Sequence, residues 1–160
     1  MSQVLVRRQL ALVGIGGLLA AGTIAVVRLP SAEAMALPAV VATVRDSGGR
    51  YVAGGASLAG ADCSGLVSVV QSLAMGEPVH RLGNTHTLLA GRWPHAIPGA
   101  SPDDVFIIGA NPTHMVVSVQ GVRIEARSAG QPFLIGDAAA SPFDRQFVRQ
   151  YHLPAELLVL

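Results

Sequence analysis

An uncharged run from Gln9 to Val27, preceded by Arg7 and Arg8 and closed by Arg28, sets the first limit on what this 160-residue chain can fold into. Pro30 ends any helix that the run begins, and Ala32-Glu33-Ala34 places small residues at the two positions a signal peptidase reads. A positive start, an apolar stretch and an A-x-A-like site together describe a secretory signal. The run is long for such a signal and about long enough to cross a bilayer as a helix. Residues 1–34 therefore read either as a cleaved signal peptide or as a retained membrane anchor. Both place the arginines in the cytoplasm and the rest of the chain outside. The Arg7-Arg8 pair also permits twin-arginine export beside the general route. Residues 35–160 remain as one domain, long enough to bury a modest core.

Charge narrows the partners. The formal net charge is +1, and beyond Ala34 eight arginines face nine acidic residues, a balance of −1. No basic field is available to hold nucleic acid. The chain has no Lys and a single Cys, so no intramolecular disulfide can form. In an oxidising compartment a lone Cys is either buried and inert or a reactive thiol.

The pattern beyond residue 34 predicts an α+β domain, helices first and then a mainly antiparallel sheet. Leu37 to Val44 reads as a short apolar helix stopped by Asp46-Ser47-Gly48-Gly49. Residues 48–61 are rich in Gly and Ala and read as a loop. From Asp62 to Met75, Cys63, Leu66, Val67, Val70, Leu73 and Ala74 recur at helical steps, with Ser64, Ser68, Gln71 and Ser72 on the other side. Asp62 suits the N-cap and Gly76 the stop. Residues 76–103, punctuated by Pro and Gly, read as a long loop holding one helical turn at most, and loops of that length are usually functional. Strands are expected at Val105 to Ile108, Met115 to Val119 and Val122 to Glu125, with a tight hairpin at Gln120-Gly121. A further strand is expected around Gln146 to Tyr151.

Cys63 falls in the first turn of the 62–75 helix, where unpaired amides and the helix dipole favour a thiolate nucleophile. Position alone favours a small core residue. A cysteine nucleophile needs a base, usually His, oriented by a third polar group. His80, His86, His95 and His152 lie in loop or terminal segments, where solvation or local hydrogen bonding is the ordinary role, and no Cys/His pair has zinc-site spacing. His114 instead starts a strand directly after Asn111-Pro112-Thr113, where the sheet can fix a side chain that faces a cleft. Across the hairpin, Glu125 comes near His114 at the open end. The plainer role for Glu125 is an exposed strand carboxylate paired with Arg123 or Arg127, a kind of pair that contributes little.

These residues, taken in order, resemble the NlpC/P60 family of cell-wall cysteine peptidases from about Ala39 to Gln131. Tyr51-Val52-Ala53-Gly54-Gly55 is similar to the family's Tyr-x-aromatic-Gly-Gly segment. Asp62-Cys63-Ser64-Gly65-Leu66 matches its nucleophile segment in full. Pro102-Asp103-Asp104-Val105-Phe106 stands where the family has Pro-Gly-Asp and a strand. Thr113-His114-Met115-Val116-Val117 carries the base, and Ile124-Glu125-Ala126 the third polar residue. Ala53 replaces the usual aromatic and Asp103 the expected Gly.

The resemblance implies a papain-like fold, with the nucleophile at a helix N-terminus packed on a mainly antiparallel sheet. It implies a Cys63-His114-Glu125 triad that hydrolyses an amide bond in peptidoglycan stem peptides, between D-glutamate and a diamino acid. Tyr51, Asp62 and Ser64 are then substrate-binding residues: the Tyr51 hydroxyl assists the oxyanion, and Asp62 suits a cationic amine of the stem peptide. No metal or organic cofactor is implied, and no wall-binding repeat is present. Two other readings remain open at this point: an amidase or acyltransferase on the same scaffold, and a non-catalytic cell-wall binding or assembly protein.

Overall fold

Pro38 opens the first ordered element because its fixed φ suits a first helical turn and its missing N–H would be unpaired there anyway. The computed structural model describes residues 35–160. The apolar run, and the choice between cleaved signal and anchor, lie outside the described residues. Helix α1 spans Leu37–Asp46 and buries Leu37, Val40, Val41 and Val44, one stripe of its surface. The chain then turns through Gly48 at φ +61°. Two residues of β1 (Arg50–Tyr51) pair in parallel with two of β2 (Gly60–Ala61), which gives some order to a segment expected to be all loop.

Helix α2 runs from Cys63 to Met75. Asp62 caps it: the Gly65 N–H donates to the Asp62 carboxylate at 2.7 Å. At the other end Gly76 takes the left-handed conformation. Its N–H reaches the Leu73 carbonyl, and the Glu77 N–H reaches that of Ser72, the paired bonds of a Schellman stop.

The expected division of α2 into an apolar and a polar side is corrected by what covers it. Ser64, Ser68, Gln71 and Ser72 are buried along with Leu66, Val67 and Val70. Segment 76–103 wraps the polar side and supplies Ser64, Ser68 and Gln71 with the partners that buried polar groups require, while the Ser72 hydroxyl finds none among the described residues. The Leu82 N–H donates to Ser68 Oγ. Gln71 accepts from the Trp93 indole at 2.8 Å and donates to the Pro94 carbonyl at 2.9 Å. The segment also carries a short helix, α3 (Thr85–Leu89), with a reciprocal cap between Asn84 and Thr87, and a two-residue strand, β3 (Ile97–Pro98).

The remaining strands are β4 (Phe106–Ala110), β5 (Met115–Val119), β6 (Val122–Glu125), β7 (Leu134–Ile135) and β8 (Arg149–His152). They form one six-stranded sheet in the order β3-β8-β4-β5-β6-β7, with every neighbouring pair antiparallel. The domain is thus α+β, with three helices and an antiparallel sheet among the described residues. Helices α1 and α2 pack on β5, and Met115, Val117 and Val119 join Leu37, Val40 and Leu66 in the main core. Val116 points the other way into a smaller cluster with Ala140 and Phe147.

The β5–β6 hairpin pairs Val119 with Val122 and leaves Gln120 and Gly121 as its two-residue loop. Both loop residues have positive φ, +47° and +79°. That is the I′ geometry whose twist matches the flanking strands. The last sheet strand lies at 149–152 and, instead of being an edge, is inserted between β3 and β4. No helix among the described residues is long and apolar enough to cross a membrane.

Gly65 is the tightest point of the α2 start. A Cβ there would collide with the Gly55 carbonyl oxygen and stand 2.9 Å from the Arg81 guanidinium. Helix propensity alone would make Gly65→Ala stabilising by about 1 kcal/mol. We expect overpacking to win, with a net loss of about 1–3 kcal/mol in urea unfolding. A gain in stability would show that the contact gives way freely.

Candidate active site

A carboxylate at a helix start has four acceptor positions to fill, and Asp62 fills them from three separate segments. Its Oδ1 accepts from the Gly65 N–H and from Ser64 Oγ at 2.9 Å. Its Oδ2 accepts from the Gly54 N–H at 2.9 Å and from Arg81 Nη2 at 2.9 Å. Arg81 also donates to the Gly55 carbonyl at 2.7 Å and to Ser64 Oγ at 2.8 Å. The turn after Tyr51, the start of α2 and the long segment are thereby locked together. Ser64 is only 4% exposed and faces into this network. Both Asp62 oxygens are occupied, so a ligand amine at this carboxylate has to compete with Arg81. Burial, the largest influence, would raise the Asp62 carboxyl, but Arg81, the Gly65 N–H and Ser64 together hold it below its ordinary value.

Cys63 is the first residue of α2 and is half-buried. The backbone N–H of Met115, the residue after His114, bears on the thiol and favours its ionised form. Burial is the main influence on the thiol and raises it. The Met115, Ser64 and Cys63 amides oppose that rise, and the Asp62 charge adds to it, so the thiol stands above its ordinary value. This corrects the expectation that the helix start would leave a thiolate. The amides do act on the sulfur, but a desolvated site beside a carboxylate outweighs them.

Tyr51 lies in the same electrostatic neighbourhood. Burial, Cys63 and Asp62 raise its phenol in that order, and Arg81 opposes them. The hydroxyl therefore stays a donor at neutral pH.

His114 is presented by a turn built on Asn111. The Asn111 side-chain oxygen accepts from the Thr113 and His114 N–H groups at 2.9 and 2.8 Å. The strand then begins at Met115, so His114 stands just ahead of its first residue. The His114 ring, 19% exposed, lies against Phe147 with centroids 6.0 Å apart. Its Nε2 is 2.8 Å from Oε1 of Glu125. With Nε2–H directed at that carboxylate, Nδ1 is the nitrogen left to accept a proton.

Glu125 is not the exposed strand residue of the plainer reading, since only 1% of its side chain is open to solvent. Arg127 does pair with it: Nε donates to Oε1 at 2.9 Å and Nη2 to Oε2 at 2.7 Å. The Ala140 N–H completes the set at 2.8 Å on Oε2. Burial pulls the Glu125 carboxyl up most strongly, but Arg127, Ala140 and His114 together leave it below its ordinary value. Arg123 pairs with Asp137 instead.

The structure therefore brings His114 and Glu125 into contact and gathers Tyr51, Asp62 and Ser64 around Cys63. The other histidines are engaged elsewhere or exposed. The His80 ring bonds the Pro78 carbonyl and the His152 ring that of Gly99. His86 and His95 are exposed. No group of three or more His, Cys, Asp or Glu among the described residues could hold a metal ion. Sequence reasoning gave no role to Arg81, whose partner Asp62 is 19 residues away. Arg127 is already a candidate partner of Glu125 in the sequence, and the structure makes that pair. Neither a family model nor a curated protein matches the chain.

Two outcomes are expected. In a His114→Ala variant, alkylation of Cys63 by iodoacetamide should rise with pH through a midpoint above about 8.5, the ordinary cysteine value; a lower midpoint would mean that the amides prevail. Asp62 and Glu125 both have depressed folded values, so their stability contribution is present above their unfolded values and is lost as pH falls through the folded ones. Thermal stability should therefore decline below about pH 4. Glu125→Gln should flatten that decline, and an unchanged slope would argue against Glu125 as a contributor.

Proposed function

We propose that this protein is an exported cysteine hydrolase of the NlpC/P60 kind, with a papain-like arrangement, acting on an amide bond of peptidoglycan stem peptides. The observation that carries the reading is the buried Glu125 carboxylate bonded to His114, just ahead of the strand on which the capped helix beginning at Cys63 packs. A raised thiol makes a base necessary, and with Nε2 directed at Glu125, Nδ1 of His114 is the ring nitrogen left to take its proton.

In the proposed reaction, His114 takes the Cys63 proton while Glu125 holds the ring and stabilises the imidazolium. The thiolate attacks the amide carbonyl carbon. The Cys63 N–H and the Tyr51 hydroxyl meet the oxyanion. His114 gives its proton to the departing amine, leaving an acyl-thioester. Water, deprotonated by His114, then releases the acid and restores the thiol. Asp62 and Ser64 act here as the frame of the site: with Arg81 they hold Tyr51 and Cys63 in one relation. The substrate class, D-glutamate joined to a diamino acid, is what the resemblance of the Asp62–Leu66 and Thr113–Val117 segments to the NlpC/P60 family implies.

Mass spectrometry of purified peptidoglycan fragments after incubation tests this. A cut inside the stem peptide is expected, and Cys63→Ala should lower its rate on the order of 10³-fold or more. Intact stem peptides with a hydrolysed side-chain amide or a transferred acyl group would favour the amidase or acyltransferase reading. Retained cleavage by Cys63→Ala would remove Cys63 as nucleophile.

A further inference from the structure

A buried carboxylate whose only charged neighbour is an imidazole strongly favours the imidazolium, and a histidine held protonated cannot serve as a base. Glu125 is such a carboxylate except for one residue. We propose that Arg127 is a positioning residue that shares the Glu125 carboxylate with His114, limits the negative charge available to the ring, and so sets the pH range over which His114 can accept the thiol proton.

The geometry favours this division. Arg127 grips both Glu125 oxygens with a two-pronged contact, on Oε1 alongside His114 and on Oε2 alongside the Ala140 N–H. All four acceptor positions are then filled, and the carboxylate can neither rotate toward the ring nor lend it a second bond. Charge follows the same division. Glu125 and Arg127 cancel, so protonating His114 takes the cluster from neutral to +1. Without Arg127 the same step would take it from −1 to neutral, which a buried site favours. Continuing the β5–β6 register outward sets Arg127 across from His114, with Glu125 two pairs inward across from Val116, so the strand pairing itself brings the guanidinium to the ring. The Glu125 bond keeps Arg127 protonated, though half of its side chain is exposed.

Other charged groups on the surrounding elements are already engaged or further along the chain. Arg123 is tied to Asp137, and Asp62 to Arg81. Asp144 accepts from the Ser141 N–H, and Arg145 and Arg149 follow on the segment that enters β8. On α2 the titratable group is Cys63, at the start of the helix that packs on β5.

The inference rests on the His114–Glu125 pairing proposed above as catalytic, but its test needs no substrate. The His114 titration is followed by NMR of the imidazole C–H in the full chain, assigned with His114→Gln, for wild type, Arg127→Gln and Arg127→Lys. Arg127→Gln should move the titration up by about 0.5–1 pH unit, a reduced form of the shift a nearby charge produces because the guanidinium is half-solvated. The acidic limb of Cys63 alkylation should move with it. Arg127→Lys keeps a cation without the two-pronged grip and should recover most of the shift. A folded Arg127→Gln protein whose titration stays in place or falls would overturn the proposal, as would an equal rise in the Lys variant. If Arg127→Gln does not fold, salt replaces it. Salt screens the half-exposed guanidinium more than the buried carboxylate, so His114 in wild type should titrate higher at about 1 M salt than at about 0.01 M, and a constant or lower value would refute the idea. A shift in a protein that cleaves no stem peptide would leave this inference standing while the proposed activity fails.

Discussion

The Asp62 carboxylate is the contact on which the rest of the site depends. A helix start leaves amides without partners, and a half-buried carboxylate needs donors; each supplies what the other lacks. Here the exchange also reaches beyond the helix. The Gly54 N–H and Arg81 bring in the turn that carries Tyr51 and the segment that wraps α2. Cys63 is therefore positioned by a bond its neighbour makes, and this has an electrostatic cost. The charge that fixes the nucleophile in place also opposes its ionisation. The site is organised for geometry first, with activation left to the base.

The two carboxylates of the site follow one rule. Asp62 and Glu125 are each held by backbone N–H donors together with an arginine. In a chain without lysine every side-chain cation other than histidine is a planar fork. Such a fork can hold two acceptors at fixed angles where an ammonium would offer a single mobile charge. At Glu125 both prongs land on the carboxylate. At Asp62 the fork is spread over Gly55, Ser64 and Asp62, so it works as a fastener between segments.

What could be read from the sequence was what local chemistry determines. The capped run at 62–75 and the Gln120-Gly121 hairpin carry their signals within a few residues, and both occur close to where those signals put them. The meeting of His114 with Glu125 follows from that hairpin's register alone. What could not be read came from contacts distant along the chain. Ser68 and Gln71 have the polarity of a solvated face, and only segment 76–103 folding over α2 makes them interior. The 149–152 strand lies between β3 and β4 for reasons of tertiary pairing that its own residues do not encode. The Cys63 thiol is shifted upward on the same account, since burial belongs to the assembled site and the helix dipole to the local one.

The turn at Gln120-Gly121 has a consequence for which kinds of change this domain can absorb. Strand side chains alternate faces, so the separation of 11 residues between His114 and Glu125 is fixed by how many residues the turn contains. Many substitutions along β5 and β6 would preserve that relation. One residue gained or lost at the turn would carry the carboxylate, and Arg127 with it, to the opposite side of the sheet while leaving the imidazole where it was. For this part of the chain length is a stricter constraint than composition, and the spacing from His114 to Glu125 to Arg127 is itself a pattern that can be sought in other sequences.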